Sequence, residues 1–320
     1  MAMQQRLDQS KSLMPMTKPG KMARREAREF YLFVLPWLIG LILFDFGPIL
    51  ASFGIGFTDW SLLEAPKFVG LGNYVEMFQD PLFFTALWNS AYYGFWSVGL
   101  GLIVSFSMAL LLNQKVVGMS IFRTIFYLPS IVTGIAVALL WGNILHPNFG
   151  LINTMLGWVG IKGPGWLSSP LWSKPSLILI SLWQAGGSMV IYLAGLQSVP
   201  THLYEAAEID GAGPWQKFKT VTVPMMSPVI FYNLIVGIIA SLQAFGLVLI
   251  MTQGISSQPG GPANSTMMYG LYLYLNGFSF FRMGYASALA WVLLVIIIAI
   301  TLFQFTLAKR WVFYEGEAKN

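Results

Sequence analysis

The chain has no cysteine, which excludes disulfides, thiolate nucleophiles and cysteine-held metals. It has two histidines, His146 and His202, too few and too far apart in sequence for a histidine-based metal site. Charge is also scarce. Only 10% of the 320 residues are charged, against about 25% in a soluble domain. So few charges cannot cover a water-facing surface, and with 56% hydrophobic residues the chain reads as an integral membrane protein. A nucleotide site is missing too. The one Gly-Lys pair, Gly20–Lys21, precedes Met22 and not the Ser or Thr of a phosphate-binding loop.

Six apolar stretches are long enough to cross a bilayer as helices, at about 30–54, 85–112, 120–145, 176–198, 227–252 and 284–308. A basic leader, 1–29, precedes the first, and a short tail, 309–320, follows the last. The leader is too long and lacks the cleavage site of a signal peptide, so the first stretch reads as a retained span. Residues 21–30 read as a basic helix lying on anionic lipid headgroups, and 1–20 as disordered. Fourteen Lys and Arg fall in the leader, the 113–123 and 199–226 connections and the tail, against four on the other side: Lys67, Lys162, Lys174 and Arg282. With six spans this places both termini in the cytoplasm. The net charge of +5 is then a topology signal and not a nucleic-acid footprint. Trp60, Trp88, Trp141, Trp158, Trp166, Trp172 and Trp311 gather near span ends, as an interfacial belt would.

The spans themselves are nearly free of charge. Asp45 is the acid well inside one, on the order of 22 Å along the helix from Phe30. It precedes Gly47 and Pro48, which read as an interruption, and a structural or interfacial role suits it best. Such scarcity argues against proton or sodium coupling within the membrane and points to an energy source outside it. Two stretches carry small and polar residues at helical spacing: Ser181, Gln184, Ser188, Tyr192 and Gly195; then Asn233, Gly237, Ser241 and Ala244, with Gln243 on an adjoining face. Close helix packing is the simpler reading of both stripes. A polar translocation path is the other, and uncharged Ser, Gln and Asn would suit a neutral, hydroxyl-rich solute.

The cytoplasmic connection 199–226 is the most patterned. Pro200 suits a first helical turn, residues 201–210 favour helix, Gly211 suits a left-handed cap, and Pro214 can start a second short helix. Leu203, Ala206, Ala207 and Asp210 share a face, where two alanines would let a partner's backbone approach. Glu205, Glu208 and Asp210 supply negative charge for basic groups on that partner. The plain alternative is a solvated loop with a short helix.

Glu205-Ala206-Ala207, then Gly211, then Val221-Thr222-Val223-Pro224 resembles the EAA motif of binding-protein-dependent ABC importer permeases, with Val221 and Val223 where the family has Ile and Leu. Thr58-Asp59-Trp60, Phe68 to Tyr74, Trp88-Asn89-Ser90, Phe122-Arg123-Thr124, Phe149 to Asn153, Gly260-Gly261-Pro262 and Gly284 to Ala288 resemble its sugar-uptake, maltose-type branch. Thr252 to Pro259 departs from the family, which reaches its Gly-Gly-Pro sooner.

The resemblance implies an all-α membrane protein with the six-helix type I importer fold, in the inner membrane of a bacterium or archaeon. It implies a transport subunit and not an enzyme. Its partners would be a second related permease, two ATPase subunits that use ATP and Mg, and an extracytoplasmic solute-binding protein; this chain would bind no cofactor itself. Leu203, Glu205, Ala206, Ala207, Asp210 and Gly211 would couple to the ATPase. The solute would be a sugar, oligosaccharide or polyol. An ABC permease for another solute, a stand-alone secondary carrier and a membrane-anchored scaffold are the rivals.

Overall fold

The computed structural model describes residues 21–256 and 259–313. The first part of the expected leader, residues 1–20, and the end of the tail, 314–320, lie outside the described residues. The chain divides into two units, Met1–Gly54 and Ile55–Asn320.

In the first unit, α1 (Lys21–Gly40), a π-helical stretch (Leu41–Phe46) and α2 (Gly47–Ile55) follow without a gap. Pro48 has no N–H to donate, and the Gly47 N–H before it reaches five residues back to the Ile42 carbonyl. Gly47 and Pro48 thus widen the helix and do not interrupt it. Asp45 sits exposed in the widened turn. The apolar side chains of this unit are exposed as well, Phe33 by 86% and Phe44 by 79%.

The second unit opens with a short antiparallel pair, β1 (Thr58–Asp59) and β2 (Lys67–Phe68), then α3 (Gly72–Gln79). α4 (Pro81–Leu112) follows. Asp80 caps α4 by accepting from the Leu82 N–H at 2.8 Å, and Pro81 occupies the first turn, where no N–H is needed. At the far end, the Arg123 guanidinium donates to the Leu112 carbonyl at 2.9 and 3.2 Å.

Three expected spans are not continuous. The stretch 120–145 breaks into α5 (Met119–Ile131) and α6 (Gly134–Ile144), bent by 97°. After α7 (Leu151–Trp158), the stretch 176–198 is α8 (Pro170–Trp183) and α9 (Gly186–Ser198), bent by 45°. Next come α10 (Thr201–Ile209), α11 (Pro214–Lys217), a π-helical stretch (Phe218–Thr222) and α12 (Val223–Leu242). The stretch 227–252 ends its first helix at Leu242; α13 (Gly246–Ser256) is separate and packs with α6 through Val248, Met251, Val137 and Ala138. A 3-10 turn (Pro262–Asn264), α14 (Tyr269–Tyr274), a π-helical stretch (Leu275–Ser279) and α15 (Met283–Ala308) are the last elements among the described residues. Among the described residues four helices are long and apolar enough to span a membrane, and up to six spans result if each bent pair is one.

Packing is organised along α4. One apolar cluster holds Phe83, Ala86 and Tyr93 of α4 against Leu177, Tyr269 and Leu289. Another holds Ala109 and Leu112 against Met189, Tyr192 and Met226. Between them α4 and α12 approach closely: a Cβ on Gly94 would stand 2.6 Å from Ser241 Oγ, and one on Gly237 would stand 3.0 Å from Val98. Within lipid, such close packing and interhelical bonds replace the hydrophobic effect as the cohesive terms.

Candidate functional site

The gap between the two apolar clusters is a cavity of about 240 Å³. α4 contributes Tyr93, Ser97, Gly101 and Ser105, spaced four residues apart and hence on one face. Ser181, Gln184 and Ser188 come from the bent α8–α9 pair, and Asn233, Gly237 and Ser241 from α12. Six residues of the two polar stripes noted in the sequence therefore face one space, whereas Tyr192, Gly195 and Ala244 do not line it: Tyr192 lies in the second apolar cluster and Gly195 packs against Met226 and Val229. Gln243 does not line it either; it is exposed at the end of α12. The α4 wall was missed, although its four-residue spacing of Tyr, Ser, Gly and Ser was there to find.

Among the described residues no Asp, Glu, Lys, Arg or His lines the cavity. Its polar side chains first satisfy their own helices: Ser181 Oγ donates to the Ile178 carbonyl at 2.7 Å, Ser241 Oγ to Ile238 at 2.8 Å and Asn233 Nδ2 to Val229 at 2.9 Å. These bonds use both hydroxyl donors and one of the two Asn233 N–H groups, and leave acceptor lone pairs on the hydroxyls and on the Asn233 amide oxygen. A solute that donates hydrogen bonds, as hydroxyls do, matches that wall. Gln184 sits at the α8–α9 break, where its backbone leaves the helix.

The second feature is the α10–α11 knob. α10 ends in a left-handed Gly211 with φ of 78°. The Gly211 N–H donates to the Glu208 carbonyl at 3.0 Å and the Ala212 N–H to Ala207 at 2.9 Å, which closes the helix with a Schellman motif. Tyr204 shares a hydroxyl contact of 3.1 Å with Thr222, and Lys217 Nζ donates to Glu208 Oε2 at 2.8 Å, tying α11 to α10. The Lys217 ammonium beside Glu208 holds its carboxyl below the usual carboxylate range.

The shared face expected of Leu203, Ala206, Ala207 and Asp210 divides. Leu203 and Ala207 are half-buried and turn toward the chain, whereas Ala206 and Asp210 are exposed with Glu205. The helix needs an apolar side for its own anchorage, and Leu203, Tyr204 and Ala207 provide it. Glu208 is already paired, so the free acids are Glu205 and Asp210. What the knob offers outward, and what the sequence reading missed, is Ile209 at 87% exposure and Trp215 at 75%. An isolated isoleucine among charges, on the side of α10 opposite Tyr204, was the available signal.

The knob is joined to the cavity in two ways. Pro214–Leu242 is one unbroken helical run, with a π-helical turn where Pro224 lacks an N–H and the Val223 N–H reaches back to Phe218. Trp215 on the knob and Asn233 on the cavity wall lie about 27 Å apart along it. An aromatic series runs alongside. Trp215 stacks on Phe218 at 5.3 Å, Phe218 lies 6.2 Å from Phe106, and Phe106 meets Tyr192 edge-on at 5.2 Å. Phe106 adjoins Ser105 of the cavity, and Tyr192 lies one turn beyond Ser188.

Residues 97–312 match the family described as "Binding-protein-dependent transport system inner membrane component". The chain belongs to this family. The matched region contains most of the cavity and the whole knob. The permease is 41% identical over 303 residues to the probable ABC transporter permease protein YesP of Bacillus subtilis (strain 168), covering 94% of this chain and 96% of that protein. It is 34% identical to the lactose transport system permease protein LacF of Rhizobium radiobacter, covering 88% and 94%. Its structure matches a chain of a bacterial alginate ABC transporter, crystallised with an alginate pentasaccharide-bound periplasmic protein, with a TM-score of 0.78. Identity there is 26%, and coverage is 89% of this permease and 96% of that chain.

Proposed function

We propose that this permease forms one half of the path by which an ATP-driven importer moves a sugar or oligosaccharide across the inner membrane. The observation that carries the reading is the convergence of Ser181, Gln184, Ser188, Asn233, Gly237 and Ser241 on one uncharged cavity whose α12 wall continues into the knob. An uncharged space lined by hydroxyls and side-chain amides, which both accept and donate, suits hydroxyl-rich solutes. The lactose permease and the alginate importer among its relatives support a carbohydrate.

In this reading six spans, two of them bent, cross the membrane with both termini in the cytoplasm. A second related permease closes the open side of the cavity. Two ATPase subunits grip the two knobs and supply the ATP and Mg chemistry; here Glu205, Ala206, Ile209, Asp210 and Trp215 make the contact. An extracytoplasmic solute-binding protein delivers the solute. The chain itself catalyses no reaction.

The test is reconstitution in proteoliposomes with the partner subunits and the solute-binding protein. Uptake should require ATP and the binding protein together, and replacing Asn233 with Leu should abolish it while leaving the complex assembled. Solute flux through this chain alone, driven by an ion gradient, would overturn the reading.

A further inference from the structure

Lys174 on α8 lies beside Asn89 on α4, beyond the cavity wall on the side away from the knob. Its Nζ donates to Asn89 Oδ1 at 3.0 Å and stands 5.0 Å from the centre of the Tyr92 ring. Asn89 is held in place, because its Nδ2 donates to the carbonyls of Asn264 at 2.9 Å and Met267 at 3.1 Å. The ion pairs among the described residues are Arg25–Glu29, Lys67–Glu64, Lys217–Glu208 and Arg282–Glu76. Lys174 is thus a half-buried cation with an amide oxygen and a ring face for partners, but no carboxylate.

An ammonium carries three N–H donors, and Asn89 takes one. A lysine that merely snorkels would extend its nitrogen toward headgroups. This one turns it onto the seam between α4 and α8. Those two helices also build the cavity: Lys174 precedes Ser181 by about 10 Å along α8, and Asn89 precedes Tyr93 by about 6 Å along α4. Lys174 and Asn89 do not line the cavity themselves but stand beyond it on the same two helices, on the side away from the knob.

We infer that Lys174, positioned by Asn89 and backed by Tyr92, is an entry subsite for the carboxylate of an acidic sugar. The inference rests on the importer reading above and adds a charge preference to it. The solute is divided between two sites, with its hydroxyls met by the cavity and its carboxylate by Lys174. The position of the ammonium within a helix seam favours a carboxylate on the solute over one on a docking protein.

The test uses the purified complex in nanodiscs and limiting acetic anhydride, with acylation of each lysine read by mass spectrometry. The probes are trigalacturonate and its neutral methyl ester. Lys67 and Lys162, both exposed, serve as internal references. Trigalacturonate should slow acylation of Lys174 by about tenfold relative to the references, the size of one hydrogen bond to a charged group, while the ester leaves it unchanged. Replacing Asn89→Asp, which supplies a carboxylate from within the chain, should remove the protection. Equal effects of acid and ester, or no effect of either, overturn the inference. Protection seen only once the solute-binding protein docks overturns it too, by giving the carboxylate to that protein. Because labelling needs no ATP turnover, its result is separate from the uptake measurement that tests the importer reading.

Discussion

Replacing Gly211→Val should loosen the grip of the ATPase without unfolding the permease. A Cβ at Gly211 meets no atom within 4 Å, so the substitution adds no clash. Its cost is the left-handed backbone, φ 78°, which costs a β-branched residue about 1–2 kcal/mol. The turn escapes that cost only by giving up the Gly211 and Ala212 cap bonds, about 1 kcal/mol each. The first route weakens the knob in its native form, and the second displaces Ile209 and Asp210, which end the helix. A loss of 1–2 kcal/mol is roughly a 5–30-fold change in an equilibrium constant. α10 is an exposed, peripheral helix, so the melting of the spans should hardly move. The assay is titration of ATPase subunits onto the permease in nanodiscs, with hydrolysis stimulated by the loaded binding protein as readout. Gly211→Asn should stay near wild type, because asparagine tolerates this conformation. A Val variant that binds the ATPase with wild-type affinity, or an Asn variant as damaged as Val, would refute the cap argument.

Phe218→Ala, which removes the link between Trp215 and Phe106, should leave ATPase subunits bound and hydrolysing while solute uptake falls several-fold; uptake and hydrolysis falling together would count against a transmitting role. The Tyr192 hydroxyl is buried with no hydrogen-bond partner, so Tyr192→Phe should leave thermal stability unchanged or raised. Tyr192→Ala, which opens a cavity, should cost about 3–5 kcal/mol, read by thermal melting in detergent. The Glu208–Lys217 pair should ignore pH between 6 and 8. Its carboxyl is held below its ordinary value of 4.5, so the support it gives the knob is complete above that value and is lost only as pH falls through the depressed one. Hydrogen exchange of α10 followed from pH 7 to 3 would show this, and Lys217→Met should erase the dependence.

Span positions were legible because composition sets membrane depth. The breaks were not. Around Val132–Thr133, Gln184–Ala185 and Gln243–Phe245 the residues are uncharged, and a single glutamine at two of the three breaks is averaged away, so a hydropathy window runs straight through. Each following helix starts at a glycine, Gly134, Gly186 or Gly246, and that was the available sign. A break holds only where tertiary contacts satisfy or shield the freed backbone. At Gln243–Ala244 the neighbour is Gly270 of α14, whose Cβ would lie 3.1 Å from the Ala244 carbonyl, a contact no local pattern shows. The cavity stripes were legible by spacing, since polar residues four apart on apolar helices need a shared destination. The orientation of α10 was not. Its two faces are both partly apolar, and only packing through Tyr204 onto Thr222 decides which one is anchored.

The central claim is that the knob around Ile209 docks on an ATPase that drives the cavity. The absence of cysteine makes the natural chain a clean background for testing it. Ile209→Cys, assembled with the ATPase subunit and treated with a short bifunctional thiol-to-amine crosslinker, should join permease to ATPase, with a yield that changes when ATP is added. A cysteine at exposed Phe149, placed in the loop before α7, should not. No crosslink from Ile209→Cys in an assembled complex would contradict the account.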